Sequence, residues 1–240
     1  MSRSGRAAAR LLGLAALLLF AAAAGFLSRH LLHHEPPGTA HPEASRSASP
    51  PGTAVRAQSQ EAPATRRVPD TLPELVLPDR DGTPHRLSEW RGHPLLVNFW
   101  ATWCEPCRRE IPLLMQVRRE HGAEGLEVVG IAVDFPDAVR RYAHDTGMGY
   151  PILVGEDGGL AAISALGMDT VLPFTVFADA AGRIVTVKVG ELRAGEVRLI
   201  LDQMREARLG RISLAEARTR IASGMQNLAI ERARAGATGS

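Results

Sequence analysis

Two cysteines separated by two residues are the part of this 240-residue chain best suited to chemistry. Cys104 and Cys107 are its only cysteines. On a helix this spacing puts both sulfurs on one face, where they can close a small disulfide ring. At a helix N-terminus, free backbone N–H groups and the helix dipole favour the thiolate of Cys104, the form that attacks disulfides. The pair therefore predicts a redox centre.

The same spacing also occurs in half of a zinc site and in structural disulfides. Structural zinc usually has four protein ligands, and no second cysteine pair or closely spaced histidine pair follows Cys107. Earlier histidines fall in a proline-rich segment with no rigid element to orient them, namely His30, His33, His34 and His41. We therefore expect no metal and no other cofactor, while a purely structural disulfide stays open.

An uncharged apolar run, residues 11–27, follows three arginines near the N-terminus. This pattern is typical of a segment that directs export or anchors a chain with its N-terminus in the cytoplasm. Because the apolar run continues past the small residues 21–25, we expect residues 1–28 to be a retained transmembrane anchor in the bacterial inner membrane. The alternative is a cleaved signal that leaves a soluble periplasmic protein. Either way the remainder is exported to a compartment where disulfides persist.

The rest of the chain divides into three parts. Residues 29–67 are rich in Pro, Ala, Ser and Gly and predict a disordered linker, while residues 68–209 contain the apolar segments of a folded domain. Residues 210–240 predict an amphipathic helix that starts at the capping-box pattern Ser213 to Glu216. We expect it to dock on its own domain, and a partner surface is the alternative. Its apolar stripe is Leu214, Ile221, Met225 and Leu228.

Apolar runs and turn signals also predict the elements of the folded domain. They are a hairpin around Asp81-Gly82 (75–77 and 83–87), strands at 95–100, 126–133, 152–154, 172–177 and 184–189, and helices at 104–121, 136–146, 160–166 and 194–209. Alternating strands and helices followed by a strand pair imply an α/β domain, with a central mixed sheet flanked by helices on both faces. The net charge of +2, without an arginine-rich run interleaved with aromatics, argues against a nucleic-acid partner.

Residues 97–112, VNFWATWCEPCRREIP, resemble the membrane-anchored thioredoxin-like proteins of the TlpA/ResA type. The resemblance covers about residues 68–209 and implies a thioredoxin-like fold with a strand–helix insertion, here residues 147–166. It implies that Cys104 is the exposed nucleophile, that Cys107 is the resolving thiol and that Pro173 is a cis-proline facing the disulfide. A substrate peptide would pair beside Cys104. The candidate substrate-binding residues are Trp103, Glu105, Pro106, Leu172 and Pro173.

Two acids near the cysteines carry further expectations. Ordinary thioredoxins have a buried Asp where this chain has Asn98, and the resemblance instead places Glu110 near the thiols. One helical turn beyond Cys107, Glu110 could take the proton of that thiol. The alternative is a surface glutamate paired with a neighbouring arginine. The carboxylate of Glu105 opposes a second negative charge on Cys104, which favours a reducing couple.

These observations favour an exported thiol–disulfide oxidoreductase that reduces periplasmic proteins. The resemblance implies apocytochrome c thiols among its targets and a membrane thiol–disulfide relay as electron donor. Alternatives are a thiol oxidase or isomerase of the same fold, a redox-inactive interaction module using the C-terminal helix, and a peroxiredoxin-like peroxidase. Peroxiredoxins carry Thr three residues before the reactive cysteine, where this chain has Ala101 and places Thr102 one residue later.

Overall fold

A computed structural model describes residues 67–237. The expected anchor or signal, residues 1–28, and the expected linker up to residue 66 lie outside this range. Within residues 67–237, no helix combines the length and apolar character needed to cross a membrane.

The elements follow the predicted order. The strands are β1 Val76–Pro78, β2 Pro84–Arg86, β3 Leu95–Trp100, β4 Glu127–Ala132, β5 Ile152–Val154, β6 Phe174–Ala178 and β7 Ile184–Val189. The α-helices are α1 Glu105–His121, α2 Pro136–Thr146, α3 Glu156–Ala165, α4 Ala194–Arg208 and α5 Leu214–Ala237. Short 3-10 turns occupy Leu87–Trp90 and Gly122–Glu124.

The main sheet has the strand order β5-β4-β3-β6-β7. Strands β3, β4 and β5 are parallel, whereas β6 and β7 add antiparallel strands on the other side of β3. Strands β1 and β2 form a separate antiparallel hairpin. The predicted mixed α/β architecture is confirmed, and β5 with α3 forms the strand–helix segment expected in residues 147–166.

Alternate residues of the central strand β3 face two hydrophobic cores. Leu96 and Trp100 join the core that includes both cysteines and the buried residues of α1, α2 and α4. The intervening residues join the second core, with the hairpin and α3: Leu95, Val97 and Phe99. Because side chains alternate along a strand, Asn98 lies on the face of Leu96 and Trp100. This places a fully buried amide on the α1 side of the sheet.

Two elements begin more than one residue away from their predicted start. Helix α3 begins at Glu156 rather than at residue 160, because an acid in the first turn suits a helix N-terminus and its glycines allow close packing. A Cβ atom on Gly159 would lie only 2.9 Å from Cγ2 of Val133. Strand β6 begins at Phe174, since Pro173 lacks the N–H that a ladder requires.

The C-terminal helix α5 packs against the same domain. Ala217 and Ile221 are buried at 0% and 1% exposure, and two further apolar residues of the predicted stripe, Leu214 and Met225, pack against the core. Arg232 donates to Oε1 of Glu196 in α4 at 2.8 Å. The helix is therefore fixed to α4 by both apolar and ionic contacts.

Candidate active site

The two cysteines lie where β3 ends and α1 begins. Cys104 is the N-cap of α1 and forms a disulfide with Cys107, with Sγ atoms 2.02 Å and Cα atoms 5.3 Å apart. Cys104 is 6% exposed and Cys107 0%. The expected exposure of Cys104 is therefore wrong for this disulfide form, because the ring closes against the core below α1. Cys104 is still the more accessible residue of the pair.

The segment before the disulfide is tied to the end of β4. Oδ2 of Asp134 accepts from the backbone N–H of Thr102 at 2.8 Å and from its hydroxyl at 2.6 Å. The adjacent aromatic residues project into solvent, since Trp103 is 70% and Phe135 64% exposed. Sequence reasoning missed Asp134 and Phe135, although their position directly after a buried parallel strand was a usable signal.

Strand β6 brings Pro173 to the same edge of the sheet. Phe174 is the register partner of Phe99 in β3, so the residue before Phe174 lies beside the end of β3, from which the cysteine segment departs. The Leu172–Pro173 peptide is cis, as the resemblance implies. Pro173 is buried, and half-buried Leu172 packs against the core that contains both cysteines. Of the remaining substrate-binding candidates, Pro106 is half-buried and Glu105 exposed.

Glu110 is buried one helical turn beyond Cys107, at 1% exposure. Its Oε1 accepts from Nδ2 of Asn98 at 2.8 Å, and its Oε2 accepts from the backbone N–H of Leu192 at 2.5 Å. Burial raises the pKa of Glu110 to about 7, while these two hydrogen bonds and the charge of Lys188 oppose the rise. The alternative of a surface ion pair is wrong, because the side chain faces the sheet.

The neighbouring arginine binds other acids. Arg109 contacts Glu105 at 2.8 Å and Glu191 at 2.7 Å, because it leaves α1 on the solvent side while Glu110 points inward. Its charge partly compensates the carboxylate of Glu105. The opposition of Glu105 to a Cys104 thiolate is therefore weaker than the sequence implied.

Neutral polar groups complete the surroundings of Glu110. Asn98 also donates to the hydroxyl of Thr175 at 3.0 Å, and both side chains are fully buried. Four buried side-chain atoms have no hydrogen-bond partner within residues 67–237, and Oδ1 of Asn98 and the hydroxyl of Tyr150 are two of them. Burial, and to a smaller degree the charge of Glu110, raises the pKa of Tyr150. Among residues 67–237, the carboxyl group of Glu110 therefore has hydrogen bonds but no ion pair.

In the part of the chain that the structure describes, no group of three or more His, Cys, Asp or Glu residues could hold a metal ion. A cysteine pair at the start of a helix, with a buried acid one turn away, can carry out thiol–disulfide exchange assisted by proton transfer.

Comparison with known proteins agrees with this chemistry. The profile of the AhpC/TSA family matches residues 68–187. The chain belongs to the AhpC/TSA family. Over 139 residues it is 30% identical to the thiol-disulfide oxidoreductase ResA of Geobacillus thermodenitrificans, a match that covers 58% of this chain and 78% of the relative. The ResA protein of Bacillus subtilis is 30% identical over 121 residues, covering 50% of this chain and 66% of the relative.

Solved structures show the same fold. A Chlorobium tepidum protein described as thiol:disulfide interchange protein DsbE aligns with a TM-score of 0.51 at 24% identity, over 57% of this chain and 94% of that chain. A DsbF homologue from Corynebacterium diphtheriae aligns with a TM-score of 0.50 at 24% identity, over 55% and 85% respectively. The predicted thioredoxin-like fold is confirmed. Together with the cysteine pair and the ResA relatives, it supports thiol–disulfide oxidoreductase chemistry for this AhpC/TSA member.

Proposed function

We propose that this protein is an exported thiol–disulfide reductase in which Cys104 attacks, Cys107 resolves and Glu110 accepts the proton of Cys107. The observation that carries the proposal is the Cys104–Cys107 disulfide at the start of α1 with a buried carboxyl group one turn further along the same helix. The fold family and the ResA relatives support the same reaction class.

The reaction starts from the reduced dithiol. The thiolate of Cys104 attacks one sulfur of a substrate disulfide, that S–S bond breaks, and the departing substrate thiolate takes up a proton. Glu110 removes the proton of Cys107, whose thiolate attacks Cys104 in the mixed disulfide. The second substrate thiolate leaves and the Cys104–Cys107 bond forms, so two electrons have passed from the protein to the substrate.

Glu110 suits the proton-accepting step for two reasons. Its position one turn from Cys107 places both groups on one side of α1. Its pKa of about 7 means that the ionised and protonated forms are both populated near neutral pH, as an efficient general base requires.

The direction of exchange follows from the charges near the thiols. The carboxylate of Glu110 opposes additional negative charge on the cysteines, and that of Glu105 does so more weakly because Arg109 partly compensates it. A less stabilised thiolate makes the couple more reducing. Re-reduction then requires an external dithiol, and we propose a membrane thiol–disulfide relay as donor, with the anchor in residues 1–28 holding the domain in the periplasm.

The substrate is proposed to lie along the edge formed by Trp103, Pro106, Leu172 and Pro173. Exposed aromatic and half-buried apolar side chains at this edge suit an extended peptide segment around a substrate disulfide. Disulfides of periplasmic proteins, including apocytochrome c, are the proposed substrate class.

Trapping tests the proposal. In the periplasm, Cys107→Ser should accumulate a mixed disulfide on Cys104 that mass spectrometry identifies, while the double variant Cys104→Ser/Cys107→Ser is the matched control and should trap nothing. The reduction potential is then measured against glutathione. A value above about −200 mV would assign the protein to the oxidants or isomerases of this fold instead.

A further inference from the structure

The loop between β7 and α4 closes over Glu110. Its backbone supplies the Leu192 N–H that binds Oε2 of Glu110 at 2.5 Å, and the side chain of Leu192 is buried at 2% exposure. The direction of that N–H depends on the conformation of the preceding residues. Whatever fixes this loop therefore also fixes one of the two hydrogen bonds of the buried acid.

Lys188, the single lysine of the chain, holds this loop through hydrogen bonds to its backbone. Its Nζ donates to the backbone carbonyls of Val189, Gly190 and Glu191 at 2.9, 3.3 and 3.1 Å. These three carbonyls belong to the residues directly before Leu192, so one ammonium group binds every residue of the turn. The side chain of Lys188 is 15% exposed, so solvent weakens these bonds little.

A second buried acid holds Lys188 in place. Oε2 of Glu196, at the start of α4, lies 3.6 Å from Nζ of Lys188. Glu196 is in turn bound at 2.8 Å by Arg232 of α5. The loop over Glu110 is thereby braced against α4 and the C-terminal helix.

We propose that Lys188 is a positioning residue for Glu110, because it holds the 189–191 turn that aims the Leu192 N–H at the carboxyl group. The proposal extends the proposed function, since Glu110 is the proton acceptor there. The ammonium charge also favours the carboxylate form and opposes the rise in the pKa of Glu110 that burial causes.

The other groups around Glu110 do not provide this charge. Asn98 from β3, Thr175 from β6 and Tyr150 before β5 are neutral, and Cys107 lies on α1 itself. Glu191 in the loop is an anion that raises the pKa of Glu110. Removal of the Lys188 charge therefore shifts the balance toward the protonated acid.

The test compares Lys188→Met with the charge-retaining Lys188→Arg in the oxidised protein. The titration of the Glu110 carboxyl carbon is followed by NMR, with Glu110→Gln identifying the resonance. Lys188→Met should move the midpoint upward from about 7 by about one pH unit, and Lys188→Arg should return it close to the original value. An unchanged midpoint in folded Lys188→Met would overturn the proposal. If that variant does not fold, Lys188→Gln takes its place.

A second measurement separates this inference from the proposed function. Reduced protein reacts with an aromatic disulfide reagent at Cys104, and closure by Cys107 releases a second coloured thiolate whose rate is recorded against pH. Lys188→Met should displace this pH profile upward, and the displacement should vanish in a Glu110→Gln background. A further outcome is that the NMR midpoint shifts in Lys188→Met while the closure rate is the same with and without Glu110→Gln. That result would contradict the role of Glu110 as proton acceptor and would leave the positioning role of Lys188 supported.

Discussion

Glu110 and Glu196 are buried to nearly the same degree, at 1% and 3% exposure, but their partners differ. Glu196 lies between two cations, Lys188 at 3.6 Å and Arg232 at 2.8 Å. Glu110 accepts hydrogen bonds from an amide side chain and a backbone N–H. Lys188 reaches Glu110 only through the loop and through its longer-range charge.

The difference assigns different roles to two chemically identical side chains. A buried carboxylate between cations has its charge balanced and joins elements together. A buried carboxylate with only neutral donors loses hydration of its charge without gaining a cation in return. Its pKa therefore rises toward neutral pH. Glu196 therefore connects α4 to α5, and Glu110 is the group that can exchange a proton near neutral pH.

The largest expected effect is on closure of the mixed disulfide. Glu110→Gln should slow the attack of Cys107 on Cys104 by about 10²- to 10³-fold at pH 7, because loss of a general base has effects of this size. Glu196→Gln is the matched control and should slow closure far less, since it lies beyond Lys188. Stopped-flow measurement of second-thiolate release checks both. Equal slowing in the two variants would contradict the proposal that Glu110, and not Glu196, accepts the proton of Cys107.

The second expected effect is on stability against pH. The pKa of Glu110 is raised from an ordinary value of 4.5 to about 7, so folding favours the protonated acid. This contribution is complete below about 4.5 and is lost as pH rises through about 7, a change of about 3 kcal/mol.

Urea unfolding of the oxidised protein measures that change. The free energy of unfolding of Glu110→Gln relative to the natural protein should rise between pH 4.5 and pH 8, because only the glutamate must bury a charge there. The difference should grow steadily between pH 4.5 and pH 7 and level off above pH 7. A constant difference across this range would contradict the raised pKa.

Local sequence patterns predicted the scaffold well but the environment of Glu110 poorly. Strand Leu95–Trp100 has the predicted bounds, and helix Glu105–His121 begins one residue after the predicted start. The adjacent arginines made Glu110 compatible with a surface ion pair, although its spacing from Cys107 and Leu114 also matches the buried stripe of α1.

Contacts distant in sequence explain the remaining differences. The Leu192 N–H that binds Glu110 comes from a loop 82 residues further along the chain. The binding of Arg109 to Glu191 likewise spans 82 residues. No local pattern near the cysteines encodes either contact, since both depend on how β7 and α4 dock against α1. The sequence thus predicted the dithiol and missed the loop that covers its acid.

A smaller effect on stability is expected at Glu196, the buried acid that lies between two cations. Arg232→Met should lower the free energy of unfolding by about 1 to 2 kcal/mol, because buried Glu196 loses a charged donor while solvent partly screens the pair. Arg220→Met on the same helix is the control. It breaks an exposed i,i+4 pair with Glu216 and should cost only about 0.3 to 0.5 kcal/mol. Thermal unfolding of both variants checks this, and equal losses would contradict a buried ionic link to α5.

The smallest expected effect is at Tyr150, whose hydroxyl is buried without a hydrogen-bond partner within residues 67–237 and is influenced by the charge of Glu110. Tyr150→Phe removes an unsatisfied polar group and keeps the ring, so it should raise the free energy of unfolding by at most about 1 kcal/mol at pH 5. The same measurement at pH 8 sharpens the comparison of the two acids, because Glu110 is then largely ionised. A gain that persists at pH 8 means that the hydroxyl does not solvate the carboxylate. A gain that reverses to a loss means that ionised Glu110 recruits the hydroxyl as a third neutral donor.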